Sequence, residues 1–176
     1  MPSQTLGARF IRTAKRQLAS FCMADSTGRD LTFGRALVGS LLLSRAIRRL
    51  PRQSRYVGLL LPASVGGALA NIGTSIAGRI PVNLNFTAGH DAMAAAIERC
   101  GIRTIVTSRT FLAKAGIETM GGMIFLEDLL ASTSAAQKAL MLAAVRLLPA
   151  GLLERLFCQP ADRYEIATVI FSSGST

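Results

Sequence analysis

The chain has 176 residues, half of them apolar, with a formal net charge of +10. That length holds one domain with a real core. The mean hydropathy is positive, which is high for a free-standing soluble domain and suits a piece that packs against further chain or a membrane surface. The charge is uneven: residues 1–55 hold eleven Lys/Arg against two acids, and the remainder nine against eight. With no Trp, two Tyr and no zinc, helix-turn-helix or aromatic-stacking motif, the charge does not point to nucleic acid. It points to an anionic membrane or an acidic protein partner, with a plain solvated face as the bland reading.

The basic residues sit at Arg9, Arg12, Lys15 and Arg16, then at Arg45, Arg48, Arg49, Arg52 and Arg55, at helix-compatible spacings. Cys22, Cys100 and Cys158 are far apart and odd in number, so they support neither a zinc site nor a disulfide framework. Reduced, mostly buried thiols and a cytoplasmic setting are the expectation. The single histidine, His90, cannot build a metal site and is read as part of a helix start. The 56–78 stretch lacks charge, but Pro62 and Gly66-Gly67 break it, so it is read as a strand and a helix rather than a membrane span. The N-terminus lacks the compact apolar core and cleavage site of a signal peptide.

In chain order, residues 6–20 form a basic amphipathic segment. Asp25-Ser-Thr-Gly28 is a turn between two short strands. Thr32 caps a helix running to about Leu50, ended by Pro51. Strand 57–61, helix 65–77 packed through small residues, strand 80–82 and a loop over 83–89 follow. Helix 90–100 closes at Gly101, strand 104–107 comes next, and a short helix over 109–114 precedes strand 123–126. Residues 134–157 read as helical with a break at Pro149, and 166–171 as an interior strand, apolar on both faces. Strands alternating with helices predict an α/β fold, a mostly parallel sheet flanked by helices. Residues 1–55 form a basic helix–hairpin–helix part and 56–176 an α/β subdomain, together one incomplete domain.

The strand at 166–171 leads into Ser172-Ser173-Gly174-Ser175-Thr176. Glycine permits close backbone approach to an anion, and hydroxyl and amide groups donate to its oxygens. In a parallel sheet, ligands sit beyond the strands' carboxyl ends, which is where this run falls. It is read as the front half of a phosphate-binding loop, with an ordinary flexible tail as the alternative. Neither Gly-x-x-x-x-Gly-Lys-Ser/Thr nor Gly-x-Gly-x-x-Gly occurs.

Leu31-Thr32-Phe33, Val57 to Pro62, Ala77-Gly-Arg-Ile-Pro-Val-Asn83 and Phe171 to Thr176 resemble, in this order, the start of the acyl-adenylate-forming superfamily of acyl-CoA synthetases, luciferases and peptide-synthetase adenylation domains. Ser172 stands where that family's loop usually has Thr. A second set, Asn85-Phe-Thr-Ala-Gly89, Thr107-Ser-Arg-Thr-Phe-Leu112 and Phe125-Leu-Glu-Asp-Leu129, is similar to the acyl-acyl-carrier-protein synthetase half of bifunctional 2-acylglycerophosphoethanolamine acyltransferases. The likeness covers nearly the whole chain.

The resemblance implies an ATP- and Mg2+-dependent ligase. In it a fatty acid carboxylate attacks the α-phosphate of ATP, and CoA or acyl carrier protein then takes the acyl group from the adenylate. It assigns Ser172, Ser173, Gly174, Ser175 and Thr176 to the β- and γ-phosphates, identifies no catalytic residue in this segment, and places the protein in the cytoplasm or peripherally at the inner membrane face. The glycine, proline and lysine that complete the family loop, and its adenine pocket and lid, are not in this sequence, so the chain alone is expected to be inactive. The acyltransferase His-x-x-x-x-Asp motif is also missing, since Ala95 stands five positions after His90. The alternative is a non-catalytic piece that binds a membrane or a carrier protein through its basic N-terminus and the apolar 139–157 segment.

Overall fold

A computed structural model describes residues 5–50, 55–159 and 166–171. Two helices and a hairpin come first: α1 (Leu6–Arg16), β1 (Phe21–Ala24), β2 (Asp30–Thr32) and α2 (Phe33–Arg48). β1 and β2 pair antiparallel around the Asp25–Gly28 turn. The α/β part follows as β3 (Tyr56–Leu59), α3 (Val65–Ile76), β4 (Ile80–Asn83), a 3-10 turn (Phe86–Ala88), α4 (His90–Arg99), β5 (Ile105–Thr107) and α5 (Arg109–Ala115). It continues through β6 (Met123–Phe125), α6 (Leu126–Ala131), α7 (Ala135–Leu147), α8 (Ala150–Phe157) and β7 (Val169–Ile170).

Helix starts follow local chemistry. Thr5, Thr32, Ser64, Ser108 and Ser134 each accept a backbone N–H from the first turn of the helix they precede. Ser134 and Gln137 form a reciprocal capping box on α7. Pro149 ends the α7 run and opens α8, as the break at that residue predicts. His90 is the first residue of α4, but no side chain caps that helix.

β3 to β7 form one parallel sheet in the order β6-β5-β3-β4-β7. Alternation along β3 sends Val57 and Leu59 to one face and Leu60 to the other. The first face packs under α2, α3 and α6, around Leu43, Ala70 and Leu126. The second packs against α4 and α5 through Met93, Ala96 and Leu112. A further layer joins α1, α2, α3, α7 and α8 through Ile11, Leu37, Leu41, Ile76, Val145 and Leu153. The N-terminal helices therefore share a core with the later ones. Helices α2 and α3 touch at Gly73, where a Cβ would lie 3.0 Å from Leu43 Cβ and 3.1 Å from the Ser40 carbonyl oxygen. This is the small-residue packing foreseen for the uncharged stretch. Among the described residues no helix is long and apolar enough to cross a membrane.

Three expectations are corrected. Residue 126 does not close strand 123–126; it starts α6. The acids Glu127 and Asp128 stabilise that helix's first turn, while the apolar Met-Ile-Phe-Leu run before them reads as one strand. Strand 166–171 is shorter than read, Val169–Ile170, and its outer edge is open among the described elements. Its ladder spans Val169 and Ile170 on β4 only, and Ile170 is 72% exposed. Cys22, Cys100 and Cys158 are half-buried rather than buried.

Candidate functional site

The chain runs from central β3 outward to β4, crosses back to β5 and β6, and returns to β7 beyond β4. Neighbouring β3 and β5 therefore send their carboxyl-end connections in opposite directions, the arrangement that opens a crevice at that edge of an α/β sheet. A cleft of about 540 Å3 lies at the carboxyl edge on the β3–β4 side of that point. Leu61 and Pro62 after β3, Ser64 and Gly67 at the start of α3, Asn71 on α3 and Asn83 at the end of β4 line it, and Met23 of the hairpin closes one side. At Gly67 a Cβ would sit 2.6 Å from the Pro62 carbonyl oxygen, so only glycine fits this turn.

Asn71 and Asn83 hold the cleft floor. Asn71 Nδ2 donates to Asn83 Oδ1 at 2.9 Å and Asn83 Nδ2 returns a bond to Asn71 Oδ1 at 3.0 Å. Asn71 Nδ2 also donates to the Gly67 carbonyl at 3.1 Å. Asn83 Nδ2 reaches Thr168 Oγ1 at 3.5 Å, and that hydroxyl donates to the Pro81 carbonyl at 3.0 Å. The network thus joins α3, β4 and the entry to β7. Register pairs Asn83 with Ile170, so β7 delivers Phe171 to the same sheet edge. Ser172, Ser173, Gly174, Ser175 and Thr176 lie outside the described residues.

The hairpin is pinned over the cleft by Asp25. Its Oδ2 accepts the Val65 N–H at 2.9 Å, and its Oδ1 accepts the Thr27 hydroxyl at 2.5 Å and the Thr27 N–H at 2.9 Å. These bonds, the Thr27 hydroxyl first and the Val65 N–H next, hold the carboxyl down at about 2. A carboxylate therefore already occupies the positive end of α3, whose own first turn has no acid. Sequence reading gave Asp25 only a turn role. The signal for more was a helix start, Val65-Gly-Gly, with no acid of its own.

A second clamp ties the β5 and β6 ends. Ser108 donates to Glu127 Oε1 at 2.7 Å. Arg109 makes two bonds to Asp128 at 2.8 and 2.7 Å, and its guanidinium lies 4.1 Å from the Phe125 ring centroid. Arg109 lowers the Asp128 carboxyl below its usual range. For Glu127 burial pushes upward, but the Ser108 hydroxyl and backbone N–H groups outweigh it and leave the group lowered. The segments Thr107–Leu112 and Phe125–Leu129, read separately in the sequence, interlock here. Asn85 of the third segment accepts from Thr87 N–H and Oγ1 and shapes the 3-10 turn.

The basic residues divide. Arg12 pairs with Glu154 through two bonds, Lys15 Nζ donates to the Val145 carbonyl at 2.6 Å, and Arg48 donates to the Leu156 and Phe157 carbonyls. These three fasten α7 and α8 to α1 and α2 instead of forming a solvated basic face. Arg45 and Arg49 instead line a shallow cleft beside Thr133 and Gln137. Arg52 lies outside the described residues. Among the described residues no titratable side chain lines the main cleft, and no metal-binding cluster occurs. Its chemistry is shape plus amide, hydroxyl and backbone hydrogen bonding.

A family model described as AMP-binding enzyme matches residues 10–176. Among solved structures, VinN aligns at 16% identity and TM-score 0.69, over 96% of this chain and 42% of that one. The Klebsiella oxytoca NpsA N-terminal subdomain in complex with 3-hydroxybenzoyl-AMSN aligns at 10% identity and TM-score 0.63, over 74% of this chain and 32% of that one. The nonribosomal peptide synthetase FmoA3 in an AMPPNP-bound form aligns at 19% identity and TM-score 0.62, over 70% of this chain and 13% of that one. At these identities the likeness is one of fold, and the chain spans less than half the length of each of these structures.

Proposed function

We propose that this chain, which belongs to the AMP-binding enzyme family, is the N-terminal, phosphate-loop-bearing part of an ATP-dependent ligase that activates a carboxylic acid as its adenylate. The observation that carries the reading is the placement of β7. It runs parallel to β4 and brings Phe171, immediately before Ser172-Ser173-Gly174-Ser175-Thr176, to the sheet edge that bears the cleft. The donor set suits a triphosphate: four hydroxyls, a glycine and successive backbone N–H groups. Among the described residues no carboxylate lines the cleft, and Mg2+ would come with the nucleotide. Bound ATP supplies the activated phosphoanhydride. The chain's own contribution is to aim donors at phosphate oxygens and hold the β4–β7 edge that presents them.

The acid is proposed to be a fatty acid, with CoA or acyl carrier protein as acceptor, on the second set of resembling segments. Residues 1–55 and 56–176 are proposed as the charge-distinct parts of one incomplete AMP-binding domain. A non-catalytic role for the isolated chain is the second reading, on one observation: among the described residues no titratable side chain lines the cleft.

The test is titration of the chain with Mg–AMPPNP by calorimetry, alongside Ser173→Ala, Gly174→Val and Thr176→Ala variants. Saturable binding weakened about tenfold or more by Gly174→Val supports the reading. Absence of binding, or binding indifferent to all three changes, overturns it.

A further inference from the structure

Helix α7 turns apolar side chains outward. Leu140 is 66% and Leu147 80% exposed. With the exposed Ala136 and half-buried Ala143 they follow i, i+4, i+7, i+11 spacing and so form one stripe along the helix. On α8, Leu152 and Leu156, one turn apart, are also exposed. The opposite faces of both helices are committed to the core through Met141, Val145 and Leu153. Arg12, Lys15 and Arg48 hold these helices down from the core side. The outward leucines are thus a fixed feature of an anchored element.

The charges around the stripe have one sign. Residues 134–159 contain one acid, Glu154, which is 8% exposed and taken up by Arg12. The exposed charges on these helices are Lys138, Arg146 and Arg155. Arg45 and Arg49 of α2 add to them, because the shallow cleft they line also includes Gln137, one turn before Leu140. None of the three described clefts is lined by Leu140, Leu147, Leu152 or Leu156. The leucines stand out from convex helix surfaces, which suits a deformable layer better than a rigid complementary groove.

We infer that the outer face of α7 and α8 docks on an anionic lipid bilayer. Leu140, Leu147, Leu152 and Leu156 enter the boundary between headgroups and acyl chains, and Arg45, Arg49 and Arg146 meet the headgroup phosphates. The helices lie in the interface plane and do not span it. The inference is independent of nucleotide binding, since these residues are not among those lining the cleft at the carboxyl edge of the sheet.

The sequence has no Trp, so Leu147→Trp gives a single reporter at an exposed position. Its emission should shift to the blue on vesicles containing one-third phosphatidylglycerol and stay unchanged on pure phosphatidylcholine. In co-sedimentation with the anionic vesicles, the double variant Leu140→Ser/Leu147→Ser should bind about tenfold or more weakly. Arg49→Ser/Arg146→Ser should bind more weakly and with a shallower salt dependence. Unchanged thermal melts confirm that the exposed substitutions leave the fold intact. Absence of vesicle binding, or salt-sensitive binding that the leucine changes do not touch, overturns the inference. So does leucine-dependent dimer formation without lipid, or leucine-dependent capture by an acidic protein where vesicles fail.

Discussion

Asn71 on α3 and Asn83 at the end of β4 exchange two amide hydrogen bonds, of 2.9 and 3.0 Å, beneath the cleft. Each amide satisfies the other, and the Gly67 carbonyl and Thr168 hydroxyl take up further capacity. Replacing one partner strands the other. Asn83→Ala should cost about 1–3 kcal/mol. Asn71→Ala/Asn83→Ala should cost less than the sum of the single changes, because the second removes no further pair. Urea unfolding of the four proteins of the cycle measures this.

Asp25 gives a pH dependence of known sign. Its folded value of about 2 lies below the ordinary carboxylate value. Its stabilisation is therefore fully present above about pH 4, and is lost as pH falls from there toward 2. Asp25→Asn should lower the melting temperature at pH 7 and remove part of the difference between pH 5 and pH 2.5. Thermal melts across that range check it. Equal acid sensitivity in the two proteins would remove Asp25 from the account.

Close packing of α2 on α3 at Gly73 predicts a steric cost. A Cβ there meets the Ser40 carbonyl oxygen at 3.1 Å and Leu43 Cβ at 3.0 Å, and backbone cannot swing away as a side chain can. Gly73→Val should destabilise by about 1–3 kcal/mol, seen as a lower urea midpoint with unchanged slope.

The 176-residue chain should show no acyl-activating turnover, since among the described residues no titratable side chain lines the cleft. Pyrophosphate release with ATP, Mg2+ and long-chain fatty acids should match a protein-free control. Release clearly above it would mean that the described cleft is not the whole reacting site.

Much of the fold was legible because its signals are local. Ser, Thr and Pro mark the starts of α1, α2, α3, α5, α7 and α8, and β-branched or apolar runs mark β3, β4 and β5. Sequence reading stretched β6 into α6 because Leu126 continues an apolar run, and only its place ahead of Glu127 and Asp128 makes it helical. The position of β7 at the sheet edge depends on pairing with β4, which no local pattern encodes. The same holds for the site. The Ser172–Thr176 run is visible as composition, whereas the Asn71–Asn83 pair and the reach of Asp25 to Val65 join residues brought together only by the α3–β4 crossover and by the hairpin folding over it. The N-terminal basic residues read as one face because spacing reports helix position. It does not report that Glu154 and the ends of α7 and α8 wait opposite Arg12, Lys15 and Arg48.

In the proposed function the β4–β7 edge presents a triphosphate to Ser172–Thr176. Backbone amide NMR of the chain during Mg–AMPPNP titration tests it most directly. Saturable shifts should concentrate at Ser173 to Thr176 and at Asn83 and Thr168, with α7 silent. Saturable shifts centred elsewhere, with residues 172–176 unmoved, would contradict it.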